Sequence, residues 1–207
     1  MNLQKLFELQ RKLDEHIEQE HPRQEGEDRL AKKILALLVE LGELAREWRG
    51  FKYWSKDQEP RTFERVPCPT CNPNGGRYRL FQDGTEDPQE FCETCAGYKC
   101  IDKNPLLEEY VDCLHFILSI GLETGKDKEV EFQALYVDGD YQDIVMQFNV
   151  LFDKVGDFYA YKTKGNYQIV LSLFLALGEM LGFTWEQIEE AYMKKNAENH
   201  ARQENGY

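Results

Sequence analysis

From Leu30 to Trp48 the apolar side chains return at steps of three and four: Leu30, Ile34, Leu37, Leu41, Leu44 and Trp48. That is the period of a helix packing one face inward, and it excludes a strand, whose apolar residues would alternate. The same spacing runs through Leu3, Leu6, Leu13 and Ile17 before "HPRQEGED" breaks it. It resumes at Pro105, a residue suited to a first helical turn, and continues through "LLEEYVDCLHFILSIGLE". Residues 127–160 are aromatic-rich and read as helical, without boundaries that the pattern can place. The stretch "YQIVLSLFLALGEMLG" (167–182) is apolar almost all round and predicts a buried helix. Thr184 and Gln187 have the spacing of a capping box and open a last helix. With no internal repeat, the expected fold class is all-α: a helical bundle made of residues 1–55 and 105–207.

Residues 56–104 break this pattern. They hold five of the seven prolines and two C-x-x-C pairs, Cys68 with Cys71 and Cys92 with Cys95, separated by 20 residues. Loops and short strands built around a metal rather than an apolar core are expected here, because helical periodicity is nearly absent. The spacing is that of a zinc ribbon, and four thiolates at tetrahedral reach would hold one structural Zn²⁺. A redox pair and a module that has lost its metal are the alternatives. Cys100 is a possible substitute ligand, and Cys113 falls on a core face and reads as a small buried hydrophobe. The module would either fix the connection between the flanking helices or cap a site.

The net charge is −13 and no run of Lys and Arg occurs, which argues against a nucleic-acid partner. A phosphorylated ligand would need metal ions or a few local cations. No apolar run approaches the roughly 20 residues of a membrane span, and no signal-peptide core is present, so no membrane association and a cytoplasmic location are expected. A reducing compartment also agrees with metal-held rather than paired cysteines.

Glu40, Glu43 and Glu47 lie within one arc of about 60° beside the leucine stripe of residues 28–49. In the helix from Pro105, Glu109 and Asp112 share a flank with Cys113 and Phe116, while Glu108 and His115 point further round into a polar face. Carboxylates three residues apart on a helix can share one cation, and Mg²⁺ takes hard oxygen ligands together with substrate phosphates. E-x-x-E facing E-x-x-D would build such a site; the plainer reading is a pair of solvated helix edges. In the last helix, the inward positions Ile188, Ala191 and Tyr192 continue in register as Lys195, Asn199 and Arg202. Two cations and an amide along an inward face suit a phosphate clamp. Gln10 sits within the first apolar stripe with Asp14 at its edge. A buried amide without a partner is costly, so Gln10 either bonds a neighbouring helix or reads a ligand.

Four separated segments, "LFELQRKLD", "ELGELAREWRGFKYW", "EEYVDCLHF" and "YMKKNAENHARQENGY", together resemble the dimeric all-α dUTP pyrophosphatases. That family sits within the all-α nucleoside triphosphate pyrophosphatase superfamily. The resemblance implies a homodimer that hydrolyses dUTP to dUMP and pyrophosphate, limiting uracil in DNA. It implies two or more Mg²⁺ held by Glu40, Glu43, Glu109 and Asp112; the place of Glu43 in the E-x-x-E pair makes it the residue expected to position or deprotonate the attacking water. It implies phosphate contacts from Lys52, Lys195, Arg202 and Asn205. Gln10, Asp14, Phe51, Trp54 and Asn199 would lie around the base. Two departures stand out: Asp14 occupies a position where relatives look to carry asparagine, and the cysteine module is additional to the family pattern. Rival readings are a related pyrophosphatase acting on dCTP or several nucleotides, and a non-enzymatic zinc-ribbon binder. A zinc deaminase, suggested by His16, Glu18 and "PCPTC", lacks the strands that fold needs.

Overall fold

The computed structural model describes residues 2–72, 92–128, 133–137 and 143–206. Parts of the aromatic-rich 127–160 segment, the middle of the cysteine insertion and the Tyr207 that closes the C-terminal motif lie outside the described residues. Six helices and one two-stranded sheet make up the described chain. By contacts it divides into two units, residues 1–60 with 106–207, and residues 61–105.

The first unit is helical. α1 (Leu3–Glu20) starts where the Asn2 side chain accepts from the Lys5 amide, and α2 (Arg29–Trp48) where Asp28 accepts from Ala31. Both caps satisfy amides that the first turn leaves without partners. α3 (Pro105–Glu123) begins on the proline, and α4 (Ile144–Ala160) on an Asp143 cap. α5 (Lys164–Met180) follows a Thr163 cap, and α6 (Trp185–Glu204) opens with the reciprocal Thr184–Gln187 box. The 127–160 expectation needs correction. Among the described residues of this segment helix starts at Ile144, and residues 133–137 run without regular structure, pinned by Gln147, whose Nε2 donates to the Leu135 and Leu173 carbonyls.

The core is one cluster of leucines and aromatics from all six helices, including Leu6, Leu41, Leu114, Leu151, Phe174 and Tyr192. Two of its buried tyrosines have hydroxyls satisfied by backbone: Tyr110 donates to the Phe174 carbonyl and Tyr167 to that of Ile117. α3 and α5 are buried on most of their surface, whereas α1, α2 and α6 bury only a stripe. Among the described residues no single helix is long and apolar enough to cross a membrane.

The second unit contains β1 (Glu64–Pro67) and β2 (Cys100–Lys103), antiparallel with Glu64 opposite Lys103 and Pro67 opposite Cys100. Arg65 and Asp102 face each other across this hairpin at 2.7 Å. Beside it, Cys68, Cys92 and Cys95 form a small buried cluster with Cys71 at its edge.

Candidate active site

α2 and α3 each contribute carboxylates to one point. Oxygens of Glu40, Glu109 and Asp112 all lie within 4.8 Å of one another, each residue half-buried. Such crowding disfavours the charged forms. Burial, and after it the charges of Asp112, Glu40 and Glu43, push Glu109 up to about 7. Glu40 rises for the same first cause, with Asp112 next. Burial also raises Asp112, against the Lys195 ammonium, which sits 2.5 Å from its Oδ2.

Glu43 stands apart from this trio, its carboxylate on Arg46 at 2.5 Å one turn along α2. Its charge still acts on Glu40 and Glu109. Glu47 is buried and lies 3.5 Å from Arg46 Nε.

The trio borders a cavity of about 540 Å³ enclosed by α1, α2, α3 and α6. Glu40 and Asp112 line it, as do Lys195, Asn199 and Arg202, so α6 presents its cations and amide on the same side as the carboxylates. Gln10, Asp14 and His115 also line it. Four of the residues singled out in the sequence lie elsewhere. Phe51 and Trp54 meet edge to face at 5.8 Å on the segment after α2, and Lys52 hangs over Phe51. That segment is held by Arg49, whose left-handed backbone ends α2 and whose guanidinium binds the carbonyl and carboxylate of Asp57. Asn205 ends α6 and donates to the Ala201 carbonyl.

Gln10 is fully engaged. Its Nε2 donates to Asp14 at 2.7 Å, and its Oε1 accepts from the Tyr192 hydroxyl at 2.7 Å and faces His115 Nδ1 at the same distance. Asp14 in turn accepts from Ser119 at 2.6 Å and lies 3.3 Å from Lys33 Nζ.

The expectation that His115 points into a polar face is corrected. It is 6% exposed, stacked on Tyr192 with centroids 4.1 Å apart. Burial, and after it the Lys195 charge, pull its pKa down to about 3, so the ring is neutral at pH 7. Four buried side-chain polar atoms among the described residues lack a hydrogen-bond partner, and His115 Nε2 is the one whose residue lines this cavity. The signal available in sequence was its i+3 step from Asp112, which places both on one helix flank.

In the second unit, sulfurs of Cys68 and Cys92 are 3.8 Å apart and those of Cys71 and Cys95 are 3.5 Å apart, all four within 4.8 Å. The Lys99 amide donates to Cys95 Sγ at 3.2 Å. Amides of Cys71 and Thr70 stabilise the Cys68 thiolate and hold its pKa down at about 6.

A comparison with protein families matches the dUTPase family over residues 2–66 and 98–207. No curated protein and no solved structure matches the chain. The matched segments carry all three clustered carboxylates, Glu43 and the cations of α6; the four cysteines fall in the gap between them. With most of its length and its entire charged cavity inside that match, the chain belongs to the dUTPase family, in its all-α form, and is a dUTP diphosphatase.

Proposed function

We propose that the cavity between α1, α2, α3 and α6 is where dUTP is hydrolysed, and that hydrolysis is Mg²⁺-dependent. The observation that supports this reading is the meeting of Glu40, Glu109 and Asp112 within 4.8 Å beside Lys195 and Arg202. Three hard oxygens at this spacing fit Mg²⁺, which completes its shell with water and phosphate oxygens. Glu40, Glu109 and Asp112 would hold it, with Glu43 joining from the next turn. Bound there, Mg²⁺ would neutralise phosphate charge and polarise the phosphoryl oxygens.

The chain's own residues do the rest. Lys195 and Arg202, beside the carboxylates, take the phosphate oxygens, where donors worth little in water act strongly in a partly enclosed cleft. Glu43 orients a water and accepts its proton as the oxygen attacks phosphorus. The phosphoanhydride bond then breaks, and the electrons leave on the bridging oxygen. At the other end, Gln10, Asp14 and Asn199, which line the cavity, lie where the base edge would be met. Phe51, Trp54, Lys52 and Asn205 can contribute only when their segments approach the bound nucleotide.

The rest of the reading is structural. Four thiolates whose sulfurs lie 3.5 and 3.8 Å apart suit tetrahedral Zn²⁺, for which a metal–sulfur bond of about 2.3 Å sets sulfurs about 3.8 Å apart. The chain acts as a homodimer in the cytoplasm; Leu35 and Val39, 63% and 54% exposed one turn apart on α2, offer an apolar face to the second copy.

The test is pyrophosphate release over the common nucleoside triphosphates, with and without Mg²⁺, for the native chain and Glu43→Gln. Mg²⁺-dependent turnover of dUTP, lost by orders of magnitude in the variant with its size-exclusion profile unchanged, is expected. Turnover that survives EDTA, or near-native rates in Glu43→Gln, would refute the assignment.

A further inference from the structure

α2 lays three side chains along the cavity wall, Lys33, Ala36 and Glu40. They stand on one flank of the helix, and the chain from Lys33 to Glu40 spans about 10 Å along its axis. Glu40 belongs to the carboxylate trio, and the side chain of Ala36 is too short to fill the space between it and Lys33. A nucleotide lying along α2 with its phosphates at Glu40 therefore carries its sugar over Ala36 and its base to Lys33. There α1 contributes Asp14, whose Oδ2 lies 3.3 Å from Lys33 Nζ. The side chains of Asp14 and Lys33 are 20% and 16% exposed, so both can meet a ligand in the cavity they line.

What this ion pair still offers can be counted. An ionised carboxylate accepts at about four positions and donates nothing. At Asp14, Gln10 Nε2 occupies one position on Oδ1, while Ser119 Oγ and Lys33 Nζ occupy two on Oδ2. An ammonium has three hydrogens and accepts nothing. Among the described residues, Lys33 directs one of them to Asp14 and one to Glu123, at 3.1 Å. One acceptor position and one donor hydrogen remain, side by side. That is the pattern of a single carboxamide, and uracil matches it: its N3–H donates, and the carbonyl beside N3 accepts.

We propose that Lys33 is a base-reading residue: beside Asp14, which takes the N3–H of uracil, its ammonium donates to the carbonyl next to that N3–H. This rests on the dUTP reading for the identity of the base. The same count explains how a carboxylate can stand at position 14, where asparagine is expected. Asparagine holds an acceptor and a donor in one amide; aspartate lacks the donor, and Lys33 restores it from the neighbouring helix. Gln10 and Ser119 fix the carboxylate at 2.7 and 2.6 Å, and Glu123 steadies the ammonium, so the pair is in place before a ligand arrives.

The experiment measures kcat/KM at pH 8 for dUTP, 2-thio-dUTP and 4-thio-dUTP. Each analogue keeps N3–H and replaces one flanking carbonyl oxygen by sulfur, a weak acceptor. The native chain should prefer dUTP over one of the two by about tenfold, the scale of a charge-assisted hydrogen bond. Lys33→Met should lower kcat/KM for dUTP by about tenfold or more, chiefly through KM, and reduce the thio preference to within about twofold of unity. Asp14→Asn/Lys33→Met puts acceptor and donor back on one side chain and leaves no charge unpaired. It should exceed Lys33→Met on dUTP by at least about threefold, with a thio preference about threefold weaker than the native one, because its donor is neutral. A lysine that only ties α1 to α3 would leave the thio preference untouched. A native chain indifferent to both analogues, an unimpaired Lys33→Met, a double variant no better than Lys33→Met, or a native-strength thio preference in either variant overturns the proposal. Should Lys33→Met fail to fold, the thio preference of the double variant decides alone. A native chain that hydrolyses no uracil nucleotide overturns the functional reading and this proposal together; one that hydrolyses dUTP and gives any of the contrary outcomes overturns this proposal only.

Discussion

Glu109 carries the clearest conflict between folding and function. Its carboxyl is half-buried against Asp112, Glu40 and Glu43, and its pKa stands near 7 where an ordinary glutamate has 4.5. The folded chain therefore holds a proton that the unfolded chain has released. By linkage, this group's contribution to stability is fully present below about pH 4.5 and is lost as pH rises through 7. In metal-free protein at pH 8 the charged trio works against the fold. Glu109→Gln removes one charge while keeping the shape. Its midpoint in EDTA should exceed the native one by roughly 2–4 °C at pH 8, the shift that a small relief of repulsion produces in a chain this long. At pH 4.5 the difference should vanish, and turnover should drop by orders of magnitude at either pH. Thermal melts at the two pH values check this; equal midpoints at pH 8 would mean that the three carboxylates do not strain the fold.

At the scale of the elements, α3 links core and site, since Leu114 packs inward while its neighbours Cys113 and His115 are also buried. The helix can be enclosed this tightly because glycines on facing surfaces admit tyrosines. A Cβ at Gly178 on α5 would collide with the Tyr110 hydroxyl, and one at Gly121 with that of Tyr167. Gly178→Ala should therefore cost about 1–3 kcal/mol by overpacking, visible as a lower urea midpoint with an unchanged slope. A stabilised or unchanged variant would show that Tyr110 can move aside. Much of this level was legible in the sequence. Pro105 and Thr184 mark helix starts by short-range chemistry, and the stripes of α1 and α2 give their inward faces. The convergence of Glu40 on Glu109 and Asp112 is legible only as a possibility, since spacing places carboxylates on a flank and not opposite another helix. His115 was misread for the same reason. α3 is enclosed on nearly every side, so the angular position of a polar residue does not reveal whether water or Gln10 and Tyr192 face it.

For the whole molecule, the division into two units coincides closely with the edges of the family match. Residues 67–97, outside that match, carry all four clustered cysteines. The second unit has a two-stranded hairpin and an apolar cluster consisting of three buried cysteines with Cys71 and Ile101 beside them. So little buried surface cannot offset the entropy of ordering the chain, and a two-stranded hairpin alone is marginal in water. Among its described residues the unit has, besides the cysteines, only exposed pairs such as Arg65–Asp102 to hold it, whereas the helical unit has a core drawn from six helices. The two should separate experimentally. Protein purified without chelator should contain about one Zn²⁺ per chain. Stripping it with a strong chelator should release the four thiols to a thiol reagent and sharply increase proteolysis between residues 61 and 105, because apo zinc modules unfold. The far-ultraviolet helical signal should hardly change, since all six helices lie in the other unit apart from the first residue of α3. Cys92→Ser should reproduce the protease sensitivity without chelator. A metal-free preparation whose thiols stay protected would show that the sulfurs are packed as a hydrophobic cluster and need no ion; a collapse of the helical signal with the metal would show that the helical bundle depends on the insertion.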